Sequence, residues 1–168
     1  VVGNSAFLGN SGQYVTAIGY QSLADNQGGD QNTAAGSTAL RNNVSGDNNT
    51  GAGYGTFFNC SIGNNVSGLG ANAAYTITSG TATTAVGSHA LINTTGGLNT
   101  AVGYNTLSTA SSTNTLSVAL GSESILSNNF LSGITGIGYN TNVNSSSIND
   151  ATPIGANTRV DGDDIMTL

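Results

Sequence analysis

The 168-residue chain has no tryptophan and no lysine, and only one cysteine, one proline and one histidine. Charged residues make up 6% of it, against about a quarter in an ordinary soluble domain. Each scarcity closes a class of function. Without lysine there is no G-x-x-x-x-G-K-[ST] phosphate loop. With arginine only at Arg41 and Arg159 and a net charge of −6, there is no basic stripe to neutralise nucleic-acid phosphates or an anionic membrane. Cys60 has no partner for an intrachain disulfide and is expected to be a small buried filler. No apolar run approaches the ~18 residues that span a bilayer, so no membrane insertion is expected of this segment.

His89 is the one side chain with an unperturbed pKa near neutrality. Its repeat position is otherwise held by Ser5, Gln21, Thr38, Gly55 and Asn72, a variable polar set, so an exposed surface histidine is expected rather than a catalytic base. Asp161, Asp163 and Asp164 are the only clustered carboxylates and are weak metal candidates. Their spacing is not that of a calcium loop, and a solvated turn is the expected role. No catalytic residue, resident metal or cofactor is expected.

In place of charge the chain carries 25 Gly, 23 Asn, 22 Thr and 20 Ser. Uncharged hydrogen-bonding side chains must therefore solvate its surface. Such a composition is compatible with disorder, but Val, Ile and Thr return on a fixed beat, which favours order.

The beat is carried by Gly3, Gly19, Gly36, Gly53, Gly70, Gly87, Gly103, Gly121, Gly138 and Gly155, spaced 16 to 18 residues apart. An array this regular leaves no room for a linker, so one domain over residues 1–168 is expected. The residue just before each glycine is apolar (Val86, Val102, Leu120), and the one before that is mostly Ala or Gly. The third residue before is almost always Thr or Ser, with Val118 the exception. Three residues after the glycine stands Ala, Ser or Thr. Four after stands a large apolar residue such as Leu23, Leu40 or Phe57, a pattern from which Ala74, Asn142 and Arg159 depart. A second glycine column, Gly29, Gly46, Gly63, Gly80 and Gly97, falls among Asn and Asp and reads as turns needing positive φ.

Sixteen to eighteen residues cannot hold two helices, and Thr, Val, Ile and Gly are poor helix formers. The period therefore predicts an all-β fold, a β-solenoid of about ten 16–18-residue coils. Each coil should hold a strand, a corner, a second strand and a turn. The apolar residue before the glycine is expected to stack in a narrow core. Open sheet edges at both ends of a thin core call for oligomerisation.

The segments Asn99-Thr100-Ala101-Val102-Gly103, Asn32-Thr33-Ala34-Ala35-Gly36 and Leu116-Ser117-Val118-Ala119-Leu120-Gly121 resemble the head repeats of YadA-type trimeric autotransporter adhesins. The resemblance covers essentially the whole chain. It implies a left-handed parallel β-roll, three of which associate into a homotrimeric head on a bacterial surface and bind a host surface protein or glycan. The coils are longer than the family's, and no helical neck, coiled-coil stalk or anchor falls within these residues. Similar repeats occur in phage tail fibres and other extracellular fibres, so an end-to-end polymer is the alternative. An extracellular, cell-surface or virion-fibre location is expected.

Two further sets of residues bear on surface chemistry. Sequons at Asn43, Asn48, Asn59, Asn65, Asn93 and Asn144 are candidate glycosylation acceptors, although this composition yields about six by chance. Tyr20, Tyr54, Tyr104 and Tyr139 follow the first glycine and are expected at a subunit interface, or else as an outward aromatic row. The Thr column suggests a hydroxyl ladder for ice, but only one rank is regular, so a structural ladder is expected.

Overall fold

A computed structural model describes residues 1–8, 11–78, 80–108, 114–126, 132–144 and 148–168. Its main sheet has eight parallel strands in chain order: β1 (Thr16–Ile18), β2 (Thr33–Ala35), β3 (Thr50–Ala52), β4 (Ser67–Leu69), β5 (Thr84–Val86), β6 (Thr100–Val102), β7 (Val118–Leu120) and β8 (Thr135–Ile137). Register follows the repeat: Thr16 lies beside Thr33, Ala17 beside Ala34 and Ile18 beside Ala35. Single bridges, Val2 to Ile18 and Ile137 to Ile154, continue the ladder at its two ends. The described residues contain no helix. The molecule is a parallel β-solenoid of about eight coils, with equivalent repeat positions stacked from layer to layer.

The corner glycines are fixed by close approach. A Cβ on Gly53 would lie 2.5 Å from the Gly70 carbonyl oxygen of the next coil, and φ at Gly53 is +135°. The second glycine column has a different cause from the one the sequence suggests. Gly29, Gly46, Gly63, Gly80 and Gly97 do not have positive φ, which falls instead on Gln31, Asn48, Asn65, Ala82 and Leu98. These glycines are required by contact: a Cβ on Gly63 would lie 2.6 Å from Cys60 Sγ and 2.9 Å from the Gly80 oxygen.

The expected core needs correction. In every strand of the main sheet it is the middle residue that is buried: Ala17, Ala34, Gly51, Gly68, Ala85, Ala101, Ala119 and Gly136. Side chains alternate across a strand, so the flanking Thr and the apolar residue before the corner both face outward. Ile18 is 48% exposed, Leu69 57% and Val102 39%. Val86 and Val102 are stacked, but on the outside of the sheet.

The interior is filled from the opposite wall. Leu23, Leu40, Phe57, Leu91, Leu107 and Ile125 are fully buried four residues after their corners. The second strand expected there is absent from these coils, replaced by a turn in which φ is positive two and four residues after the glycine, as at Gln21 (+50°) and Leu23 (+48°). An extended strand would carry the chain ~3.3 Å per residue away from the axis, whereas this turn closes a short coil and aims the fourth residue inward. Left-handed conformations cost about 1–2 kcal/mol each for non-glycine residues. Two opposing terms offset this. Burying a leucine contributes ~1.5–3 kcal/mol, and both backbone N–H groups are bonded: Gln21 to the Asn4 oxygen of the preceding coil and Leu23 to the Ala39 oxygen of the following one, each at 3.0 Å.

Residue size is matched between neighbours. Phe57 fits because Gly51 and Gly68 face it: a Cβ on Gly68 would lie 2.5 Å from Phe57 Cε2. Ala74, on the same coil as Gly68, is the small member of its column. At the C-terminal end the pattern changes where Asn142 and Arg159 replace the large apolar residue. There the chain does form strands, β9 (Asn142–Val143) pairing with β11 (Arg159–Val160), and the buried position moves one residue along to Val143 and Val160. β10 (Thr152–Pro153) pairs with β12 (Met166–Thr167).

Buried polar side chains on either side of the corners also have structural roles. Asn32 and Asn49, four residues before their corners, are fully buried and donate Nδ2 to the Gly46 and Gly63 carbonyls of the next coil, each at 2.7 Å. Thr56 and Thr106, three residues after theirs, donate to the Gly70 and Gly121 carbonyls at 2.7 and 2.6 Å.

Candidate ligand-binding surface

Beyond each corner glycine the chain leaves the flat sheet, and the residues one, two and five positions later form stacked columns on a different wall. The first column places Tyr20, Tyr54, Tyr104 and Tyr139 in exposed positions. The second holds Thr38, Gly55, Asn72, His89 and Asn105 in one shared conformation, with φ between +53° and +61°. The third contributes Arg41, Phe58, Tyr75 and Ile92 from successive coils.

In that third column the layer spacing sets an aromatic stack. The Phe58 and Tyr75 rings lie 4.9 Å apart and 2° from parallel, close to the ~4.8 Å between strands. The Arg41 guanidinium sits 5.4 Å from the Phe58 centroid on the stack.

The three columns meet around a cleft of about 250 Å³, open to solvent and lined by Tyr54, Asn72, Tyr75 and Ile92. Gly55 leaves a gap beside it. A Cβ there would lie 2.6 Å from Asn72 Oδ1 and 3.4 Å from Tyr75 Cε2, so glycine is what lets Asn72 lie across this position. On its other side Asn72 Nδ2 is 3.5 Å from His89 Nε2, and His89 Nδ1 is 3.0 Å from Ser88 Oγ. Both contacts are satisfied by the tautomer in which Nδ1–H donates to Ser88 and Nε2 accepts from Asn72. The Tyr104 ring stands edge-on to the imidazole at 6.2 Å.

His89 is therefore half-buried and held on both ring nitrogens rather than freely exposed. The group on its far nitrogen is an amide rather than the carboxylate of a hydrolytic triad. The aspartates Asp161, Asp163 and Asp164 are not gathered: Asp161 accepts from Asn144 Nδ2, while Asp163 Oδ1 accepts the Asn149 backbone N–H at 2.8 Å. Among the described residues no group of three or more His, Cys, Asp or Glu is placed to hold a metal ion. Cys60 is fully buried, and burial pushes its thiol up to about 11 despite a hydrogen bond from the Gly63 backbone.

The sequons divide sharply. Asn43 is fully buried, with Nδ2 donating to Asn26 Oδ1 and to the Gly46 carbonyl, both at 2.9 Å, so the folded chain has no room for a glycan there. Asn59 and Asn93 are half-buried, whereas Asn48, Asn65 and Asn144 are exposed. Among the described residues no helix is long and apolar enough to cross a membrane.

The cleft itself escapes the sequence because its four lining residues come from three coils. The one available signal is Gly55, which interrupts a polar column and reads from sequence only as variability.

Fold and surface together define the class: an all-β repeat protein of the parallel β-solenoid type. No family model matches the chain, and neither a curated protein nor a solved structure is matched by it. The functional reading accordingly rests on the repeat motif and on this geometry.

Proposed function

We propose that the chain is the head or shaft segment of an extracellular attachment protein. In this reading three copies of a ten-coil, left-handed β-roll associate side by side, with no enzymatic activity, on a cell surface or a virion fibre. The observation that carries the reading is the outward apolar column of the main sheet. Leu69, Val86, Val102, Leu120 and Ile137 follow one another layer upon layer along one flat face, with Ile18 on the same face beyond the smaller Ala35 and Ala52, and all but the half-buried Val86 and the two alanines are exposed in the single chain. A contiguous apolar surface of this kind marks a contact site. The likeness to YadA-type head repeats supports assigning that face to subunit packing. The Tyr-bearing wall beyond the corner then stays available for a host surface protein or glycan.

Light scattering and sedimentation of the purified chain test this. Discrete trimers are expected, and Val102→Asp with Leu120→Asp should shift them to monomers. A wild-type chain that is monomeric at micromolar concentration would sink the proposal.

A filament or phage-fibre subunit is the second reading, favoured by the in-register parallel ladder of the main sheet, a hydrogen-bonding pattern that another copy could extend. Continuous filaments in negative stain would establish it instead.

A further inference from the structure

We infer that the cleft bounded by Tyr54, Asn72, Tyr75 and Ile92 binds one neutral sugar ring. The assignment rests on the attachment reading above and names the ligand class of its outward wall. Size is the first argument. At about 250 Å³ the cleft is smaller than the ~300–1,000 Å³ of pockets for drug-sized ligands, which suits a single ring.

Chemistry is the second argument. A pyranose has an apolar C–H face and a rim of hydroxyls that both donate and accept. The cleft offers two tyrosine rings and Ile92 as apolar surface, and phenolic oxygens and an amide as polar partners. Among the described residues no donor reaches Asn72 Oδ1, which lies over Gly55 free to accept from a ligand hydroxyl. Among the described residues no charged side chain lines the cleft. Arg41 lies on the far side of Phe58 from Tyr75, so an anion finds no partner. A wholly apolar ligand would strip water from the amide and phenols without replacing it.

The third argument is Gly55 itself. Its φ of +61° is shared by Thr38 (+57°), Asn72 (+54°) and His89 (+59°), so the backbone conformation does not demand glycine. Its absent side chain is what admits Asn72 to the cleft. The walls are also held in place before any ligand arrives, Tyr75 by its stack on Phe58 and Asn72 by His89, which lowers the ordering cost of binding.

The test is saturation-transfer NMR and titration with methyl glycosides of glucose, galactose and N-acetylglucosamine, with N-acetylneuraminic acid as an anionic comparison. At least one neutral glycoside should bind with a Kd on the order of 1 mM, with little or no response from the anionic sugar. Gly55→Thr restores a side chain that the same column carries at Thr38, and Tyr54→Ser introduces the residue found at Ser37 and Ser88. Each should weaken binding at least tenfold with the chain still folded at the assay temperature, the left-handed backbone at position 55 lowering the melting temperature of Gly55→Thr by only a few degrees, while Tyr139→Ser binds as wild type. The proposal is overturned if no neutral glycoside binds, if only the anionic sugar does, or if affinity survives in Gly55→Thr. A trimer that binds no sugar defeats the cleft assignment alone, whereas filament formation defeats the attachment reading whatever the sugars do.

Discussion

Asn49 receives and gives at once: its backbone N–H donates to Asn32 Oδ1, 2.9 Å away on the preceding coil, while its own Oδ1 accepts the Val66 N–H of the following coil at 3.1 Å. With the Nδ2 bond to Gly63, one buried side chain satisfies two backbone groups of the next layer. Asn49→Ala leaves both without a partner in a dry interior, where each unsatisfied group costs about 1–3 kcal/mol. Urea unfolding followed by circular dichroism should show a loss in this range or somewhat above it. A loss below ~0.5 kcal/mol would mean that water replaces the amide.

The corner glycines make a position-dependent prediction. Gly53→Ala drives a Cβ toward the Gly70 carbonyl and should cost more than about 3 kcal/mol, abolishing soluble expression or lowering the melting temperature severely. Gly155→Ala meets only Thr158 Cγ2 at 3.4 Å, because no coil stacks on it in the same way. It retains the backbone strain alone, so its melting temperature should stand well above that of Gly53→Ala.

Phe57 and Gly68 should behave as a coupled pair. Gly68→Ala overpacks against the Phe57 ring and is expected to cost ~1–3 kcal/mol. Phe57→Leu, which installs the residue of the neighbouring coil at Leu40, removes the ring and should reduce the cost of Gly68→Ala to what the remaining contact with Thr56 Cγ2, 2.7 Å from the added Cβ, imposes. A double-mutant cycle with a coupling energy near zero would show that the ring does not set the size limit.

Cys60 predicts both a reactivity and a pH dependence. Burial holds the folded thiol near 11, so a thiol reagent at pH 8 should label the native chain only at its opening rate and label the unfolded chain at once. Since the folded pKa is raised above the ordinary 9.0, the unfolded state loses its proton first as pH rises. The contribution is therefore complete below pH 9 and is lost between about 9 and 11. Cys60→Ala should flatten that part of the stability curve.

The repeat was open to reading because a stacked coil imposes the same demand at every layer. Gly19 through Gly155 recur since a Cβ at nearly every one would strike the next coil, and that demand appears as a letter. The buried asparagines were visible as the first letter of N-T-A-V-G, but their role was not, because a donor and an acceptor one coil away leave no mark in the linear chain. The break in pattern at Asn142 and Arg159 was likewise visible. That it converts a turn into the β9–β11 pair, with Val143 and Val160 taking the core position, was not. The cleft at Gly55 was least visible of all, being assembled from Tyr54, Asn72, Tyr75 and Ile92 on three separate coils.

By itself the sequence determined the period, the parallel register, the corners and the all-β class, because each follows from which residues must coincide from layer to layer. Which wall faces inward was decided only by tertiary structure. A three-residue Thr-Ala-Val strand alternates equally well with valine in or out, and both choices preserve the repeat. The decision falls on the opposite wall: once Leu23, Leu40, Phe57 and their equivalents fill the coil, only alanine or glycine fits against them. The valines and isoleucines are therefore turned outward, onto the face assigned above to subunit contact.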